Sequence, residues 1–281
     1  MKIKSDINLY DTLLSGQAFR ITLEEDNSFT VILSDRVINI KKEGEYIVID
    51  SNNLNNLELV VRYYFDLDRD YKVINEKFKD NIIFKNNIDL CKGYKILKQN
   101  PFEMYISYII SQNNNVKRIT NSINKISELY GKKIIFKNKE YYLFPNFKEL
   151  KNITLEELKL VGVGFRDAYI INAINKLKED PMFLEKIDFL STKEALKELM
   201  SIKGIGLKVA SCILMFGYSR FDTFPIDTWV KKYVNENFNI KNSIETISKF
   251  MRDNFGDYSG LAIQYLYHIN RNKINKEQVI K

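Results

Sequence analysis

The tightest constraint on this chain is the run Leu199-Met-Ser-Ile-Lys-Gly-Ile-Gly-Leu-Lys-Val-Ala-Ser-Cys-Ile-Leu-Met-Phe216, followed a short loop later by Phe224-Pro-Ile-Asp227. Gly204 and Gly206 flank the single residue Ile205. Glycine costs stability inside a helix but permits positive φ and close backbone approach, so this pair predicts a tight hairpin between two helices. The first helix has a start signal in Ser191 with Glu194 three residues on, and Ala195, Leu196, Leu199 and Met200 recur at helical intervals. The second begins at about Leu207. Its free N–H groups and partial positive charge face the side of the hairpin amides, so Gly204, Gly206 and Val209 form a seat for a phosphate.

Lys208 lifts this stretch above a phosphate seat. Leu207, Val209, Ala210 and Cys212 through Phe216 around it are apolar, and a helix apolar all round is buried. Partial desolvation would favour the uncharged amine, the form that attacks carbon. On spacing alone, the alternative is that Lys208 snorkels to water or pairs a phosphate. Asp227 precedes Thr228-Trp-Val-Lys-Lys-Tyr-Val234 and reads as a helix N-cap, a role that does not exclude chemistry.

Composition narrows the classes of function. With 45% hydrophobic and 28% charged residues, the chain reads as a soluble globular protein of 281 residues, long enough for two domains. No apolar run approaches a membrane span of roughly 18 residues, and Met1-Lys-Ile-Lys-Ser-Asp lacks the apolar core of a secretory signal. A cytoplasmic location is expected, at the nucleoid in a bacterium or archaeon and in the nucleus of a eukaryote. The net charge of +7 favours polyanion partners, or is simply lysine spread over a solvated surface. Two cysteines, Cys91 and Cys212, exclude a four-cysteine iron–sulfur or zinc site, and the lone His268 excludes a histidine metal cage. The expectation is chemistry without cofactor or metal.

From about Ile3 to Asp50 short runs rich in β-formers, such as Phe29-Thr-Val-Ile-Leu33 and Tyr46-Ile-Val-Ile49, alternate with turn residues and predict an antiparallel sheet. Gly16 interrupts this pattern as a turn or bulge. From about Leu57 the period becomes helical and stays so nearly to the end. Pro101 marks the passage between the halves, because the residue before proline disfavours helix. The fold class is therefore α+β, with an antiparallel sheet domain (1–98) packed on a larger all-helical domain (99–281). Inside the second, Thr154-Leu-Glu-Glu157 opens a unit that echoes the hairpin, with Gly162-Val-Gly164 followed by Phe165 and Arg166. Arginine cannot serve as an amine nucleophile, so this copy reads as a phosphate element, with Phe165 on its own pattern a core aromatic.

Taken together, Gly204-Ile-Gly-Leu-Lys208 through Pro225-Ile-Asp227 resembles the helix-hairpin-helix-Gly/Pro-Asp superfamily of DNA base-excision glycosylases. The lysine at 208 is similar to that of its bifunctional members. Leu14-Ser-Gly-Gln-Ala-Phe-Arg20, Gln112-Asn-Asn-Asn-Val-Lys-Arg118 and Gly162-Val-Gly-Phe-Arg166 agree in order with its 8-oxoguanine, or Ogg, type. The resemblance implies a monomeric DNA glycosylase with associated lyase activity on duplex DNA containing 8-oxoguanine. It makes Lys208 the nucleophile and Asp227 its partner. Gly16 would offer its carbonyl to the N7 hydrogen that only the oxidised base carries. Cys212, Phe216, Ile263 and Tyr267 would line the base pocket. Asn113 would fill the hole left by the extruded nucleotide, Arg118 would reach the opposite cytosine, and Phe165, Arg166, Gly204, Gly206 and Val209 would contact DNA, with Phe165 a candidate wedge between bases. The chain departs from the family in two places. Ile263 stands where animal relatives have a base-reading glutamine, with Gln264 one position away, and Trp229 stands where a histidine is expected. A relative that removes alkylated bases, or a non-catalytic DNA clamp, are the alternatives.

Overall fold

A computed structural model describes residues 1–240 and 243–279. The first part is a five-stranded antiparallel sheet of β1 (Lys2–Lys4), β2 (Ile21–Leu23), β3 (Phe29–Ile32), β4 (Val37–Glu43) and β5 (Tyr46–Ser51), in the order β1-β5-β4-β3-β2. The β4–β5 register, Ile40 opposite Ile49 and Glu43 opposite Tyr46, closes over Gly44 at φ +58°. Because opposed residues share a face, Phe29, Val31, Ile38, Ile40 and Ile49 form one apolar surface. That surface is covered by α1 (Leu9–Leu13) and α2 (Leu57–Tyr64), whose Leu9, Leu13, Leu57 and Val61 complete the smaller core.

A larger core begins at α3 (Tyr71–Lys79) and also takes in Phe19. Asn100, extended at φ −63° and ψ 127°, caps α4 (Pro101–Ile110), which has proline in its first turn. After α5 (Val116–Tyr130) comes a hairpin of β6 (Lys133–Phe136) and β7 (Lys139–Tyr142), a correction to the all-helical expectation for this half. Its turn residues Lys137 and Asn138 take positive φ, 50° and 60°, as a two-residue hairpin requires. Then follow α6 (Phe147–Leu150), α7 (Leu155–Val161), α8 (Asp167–Glu179), α9 (Phe183–Phe189), α10 (Thr192–Met200), α11 (Leu207–Gly217), α12 (Thr228–Phe238), α13 (Ile244–Phe255) and α14 (Ser259–Val279). The capping boxes at Thr154 with Glu157 and Ser191 with Glu194 both form. Among the described residues no helix is long and apolar enough to cross a membrane.

Two packing features place the site. α11 is enclosed from Val209 to Gly217 and packs on α4, where a β-carbon on Gly217 would come within 3.2 Å of Pro101 Cα. The two helix-hairpin-helix units touch: the ring of Tyr169 in α8 lies on Gly204, where a β-carbon would stand 2.3 Å from the ring.

Candidate active site

The α10–α11 hairpin divides its two glycines by function. Gly204 sits at φ +103°, reachable without strain only by glycine, and lies under Tyr169. Gly206 is extended, at φ −92° and ψ 176°, exposed, and with open space where a side chain would be. It is the N-cap of α11, and no side chain caps that helix. The first-turn amides, including that of Val209, are therefore available to an anion, although the Val209 side chain is core.

A cleft of about 380 Å³ opens between the Gly16 turn, α11, the loop before α12, and α14, a volume typical of small-molecule sites (about 300–1,000 Å³). Gly16, exposed at φ +87°, forms one edge. Lys208, Cys212 and Phe216 line it from α11 at spacings of four residues, one helical face. Phe216 stacks on Tyr108, with centroids 5.5 Å apart. Tyr267, on α14, lies against Trp229 from α12. Asp227, half-buried, caps α12 by accepting from the Val230 N–H at 2.9 Å. Its carboxylate lies close to Tyr267, and burial together with that carboxylate raises the Tyr267 phenol far above its ordinary range. Burial pushes the Cys212 thiol up to about 12, with Lys208 opposing the rise and Asp227 adding to it. Cys212 thus feels both charges, so amine and carboxylate belong to one neighbourhood.

Three expectations change. Lys208 is exposed at the cleft rim rather than desolvated, because the enclosed part of α11 starts at the next residue. Ile263 is fully buried core and lines no part of the cleft. Gln264 lines it instead, sharing a stripe with Tyr267, His268 and Arg271 at helical spacing. Gln264 is only 8% exposed and stands one position from the family's place, so the signal available in the sequence was its neighbouring polar side chain. Arg166, 4% exposed, faces no strand. Its guanidinium donates to the carbonyls of Val163 and Asn113, both at 2.9 Å, and to that of Gln112. It is a brace that holds the turn of Asn113, itself exposed at φ +46°. Phe165 beside it is 57% exposed, its ring 4.3 Å from the guanidinium. Arg118 projects from the first turn of α5. Asn113, Phe165 and Arg118 are thus solvent-facing and in reach of a ligand, whereas Arg166 is not.

Residues 106–254 match the model of the HhH-GPD superfamily of base excision DNA repair proteins, and the chain belongs to that superfamily. Residues 1–105 match the N-terminal domain of 8-oxoguanine DNA glycosylase, which makes it an Ogg-type member. Among solved structures, MBOgg1 in complex with a low-affinity DNA ligand is 37% identical, with 97% of this chain and 95% of that one covered at a TM-score of 0.92. The Clostridium acetobutylicum 8-oxoguanine glycosylase/lyase, in complex with double-stranded DNA containing cytosine opposite 8-oxoguanine, is 34% identical, with 97% and 98% covered and a TM-score of 0.89. A probable N-glycosylase/DNA lyase of Methanothermobacter thermautotrophicus is 27% identical over 79% of this chain and 77% of its own length.

Proposed function

We propose that this protein excises 8-oxoguanine from duplex DNA and then cleaves the strand, acting as a DNA N-glycosylase with associated lyase activity. One observation carries the reading: Lys208, the Gly16 turn and the Tyr267 and Cys212 walls line a single cleft, and Asp227 stands close enough to act on both Tyr267 and Cys212. The target base must leave the helical stack to enter it, a cost of about a few kcal/mol that is least for a damaged or mismatched pair. Asn113 and Phe165 occupy the vacated space, while the amides at Gly206 to Val209 hold a phosphate without reading sequence. The base lies between Tyr267 and Cys212. The Gly16 carbonyl accepts from N7–H, and the Gln264 amide, able both to donate and accept, reads the Watson–Crick edge.

As the bond from C1′ to the base breaks, its electron pair leaves with the base, which takes up a proton, and Asp227 stabilises the positive charge developing on the sugar. The Lys208 ammonium gives that proton to the departing base and its amine bonds to C1′; the sugar ring then opens as the C1′–O4′ bond breaks, a second amine proton passing to O4′ and leaving a protonated imine. The resulting imine makes a C2′ proton acidic, and its loss expels the 3′ phosphate.

Borohydride added during reaction with an 8-oxoguanine duplex should leave a covalent protein–DNA adduct in the wild type and none in Lys208→Gln. Trapping that survives the substitution removes Lys208 from this role. The same assay separates a lysine-independent glycosylase and a non-catalytic clamp, neither of which forms an adduct.

A further inference from the structure

The turn that carries Gly16 is held from behind by two buried glutamines. Gln17 is only 2% exposed. Its Nε2 donates to the carbonyls of Thr12 at 3.2 Å and Lys95 at 2.9 Å, and its Oε1 accepts from the Leu97 N–H at 2.8 Å. The Gln17 carbonyl accepts from Gln99 Nε2 at 2.7 Å and from the Tyr108 hydroxyl at 3.4 Å. Gln99, also buried, donates its own N–H to the Phe216 carbonyl at 2.8 Å, in the last turn of the helix that bears Lys208 and Cys212. Two hydrogen bonds therefore run from that helix to the residue next to Gly16. The Gly16 carbonyl and the Gln17 N–H belong to one planar peptide unit, so with Gln17 held by both its side chain and its own carbonyl, only rotation about the Gln17 N–Cα bond is left to aim the Gly16 carbonyl.

We propose that Gln17 and Gln99 are positioning residues that set the Gly16 carbonyl relative to α11, so that telling 8-oxoguanine from guanine depends on two side chains that do not touch DNA. This rests on the reading of Gly16 given above. A discrimination made by one hydrogen bond is sensitive to displacement well below 1 Å, because the wrong base is rejected only if the acceptor is where the right one needs it. Neither glutamine takes part in bond making.

The test compares wild type, Gln99→Met and Gln17→Leu on three substrates: a duplex with 8-oxoguanine opposite cytosine, the same duplex with guanine, and one with a preformed abasic site. The ratio of excision efficiencies for 8-oxoguanine over guanine should fall by about tenfold or more in each variant, the worth of roughly one hydrogen bond. Cleavage at the abasic site, which presents no base to Gly16, should stay near the wild-type rate. An unchanged ratio overturns the proposal, and so does a parallel loss on abasic DNA, which would mark a general structural role. Gln99→Met removes a single donor and leaves the Tyr108 bond, so it keeps the test alive if Gln17→Leu does not fold. A wild type without preference for 8-oxoguanine would sink the reading of Gly16 itself, an outcome visible before any variant is made.

Discussion

The indole of Trp229 lies on the ring of Tyr267, with centroids 4.3 Å apart and planes 27° from parallel. Both rings line the cleft, and Trp229 is the only tryptophan in the chain. A base entering beside Tyr267 changes what surrounds the indole, so the emission reports directly on occupancy. Titration with an 8-oxoguanine duplex should change Trp229 fluorescence more than undamaged duplex does. Equal responses would place the lesion elsewhere.

Asp227 combines a cap with a charge, and the two separate by substitution. Asparagine caps helices about as well as aspartate, whereas alanine costs roughly 1 kcal/mol. Asp227→Asn should therefore keep the melting temperature and DNA affinity while losing most excision. Asp227→Ala should lose excision and stability together. Near-full activity of Asp227→Asn would reduce the residue to its cap.

The hairpin glycines should respond in opposite ways. Gly204→Ala meets both a positive φ and the Tyr169 ring, and is expected to lower the melting temperature clearly. Gly206→Ala meets no neighbouring atom and suits its extended backbone, so stability should hold while the methyl group stands off the phosphate. Thermal unfolding and duplex binding, measured on both, decide this. A Gly206→Ala protein that binds like wild type would move the phosphate seat away from the hairpin.

Arg118 and Arg166 offer a contrast in salt dependence. An exposed arginine that enters the duplex, as Arg118 would to reach the opposite cytosine, brings a positive charge among the phosphates and contributes up to about one unit to the slope of log affinity against log salt. Arg118→Ala should reduce that slope, while Arg166→Met should leave it unchanged and instead destabilise the protein, since three carbonyls lose a charged donor. A reduced slope in Arg166→Met would show that the side chain leaves its buried position to meet DNA.

Because burial raises the Cys212 thiol to about 12, the group is neutral across the working range. Its ionised, reactive form appears only as pH rises toward that value. Alkylation by iodoacetamide at pH 8 should be slow, and slower still with duplex bound. Rapid modification at pH 8 would contradict an enclosed thiol.

Much of this arrangement was legible in the sequence because it follows from local rules. Ser191 with Glu194 and Thr154 with Glu157 set helix starts through hydrogen bonds among near neighbours, and both form as read. The sheet followed from alternation. What escaped depends on distant partners. Two of the three carbonyls that enclose Arg166 come from residues some fifty positions earlier, so an arginine beside a hairpin looked like a DNA contact. Ile263 matched a family position, yet the stripe facing the cleft runs through Gln264. The β6–β7 turn uses Lys137 and Asn138 rather than a glycine, which hid the hairpin.

The close seat of Gly217 against Pro101 lets α11 pack tightly on α4. On the proposed function, the amine then stands on a firmly packed helix, and the distortion needed to bring C1′ to it is expected to fall to the nucleic acid, whose stiffness varies with sequence. Structures with and without duplex should superpose closely in α4 and α11, with the distortion confined to the DNA.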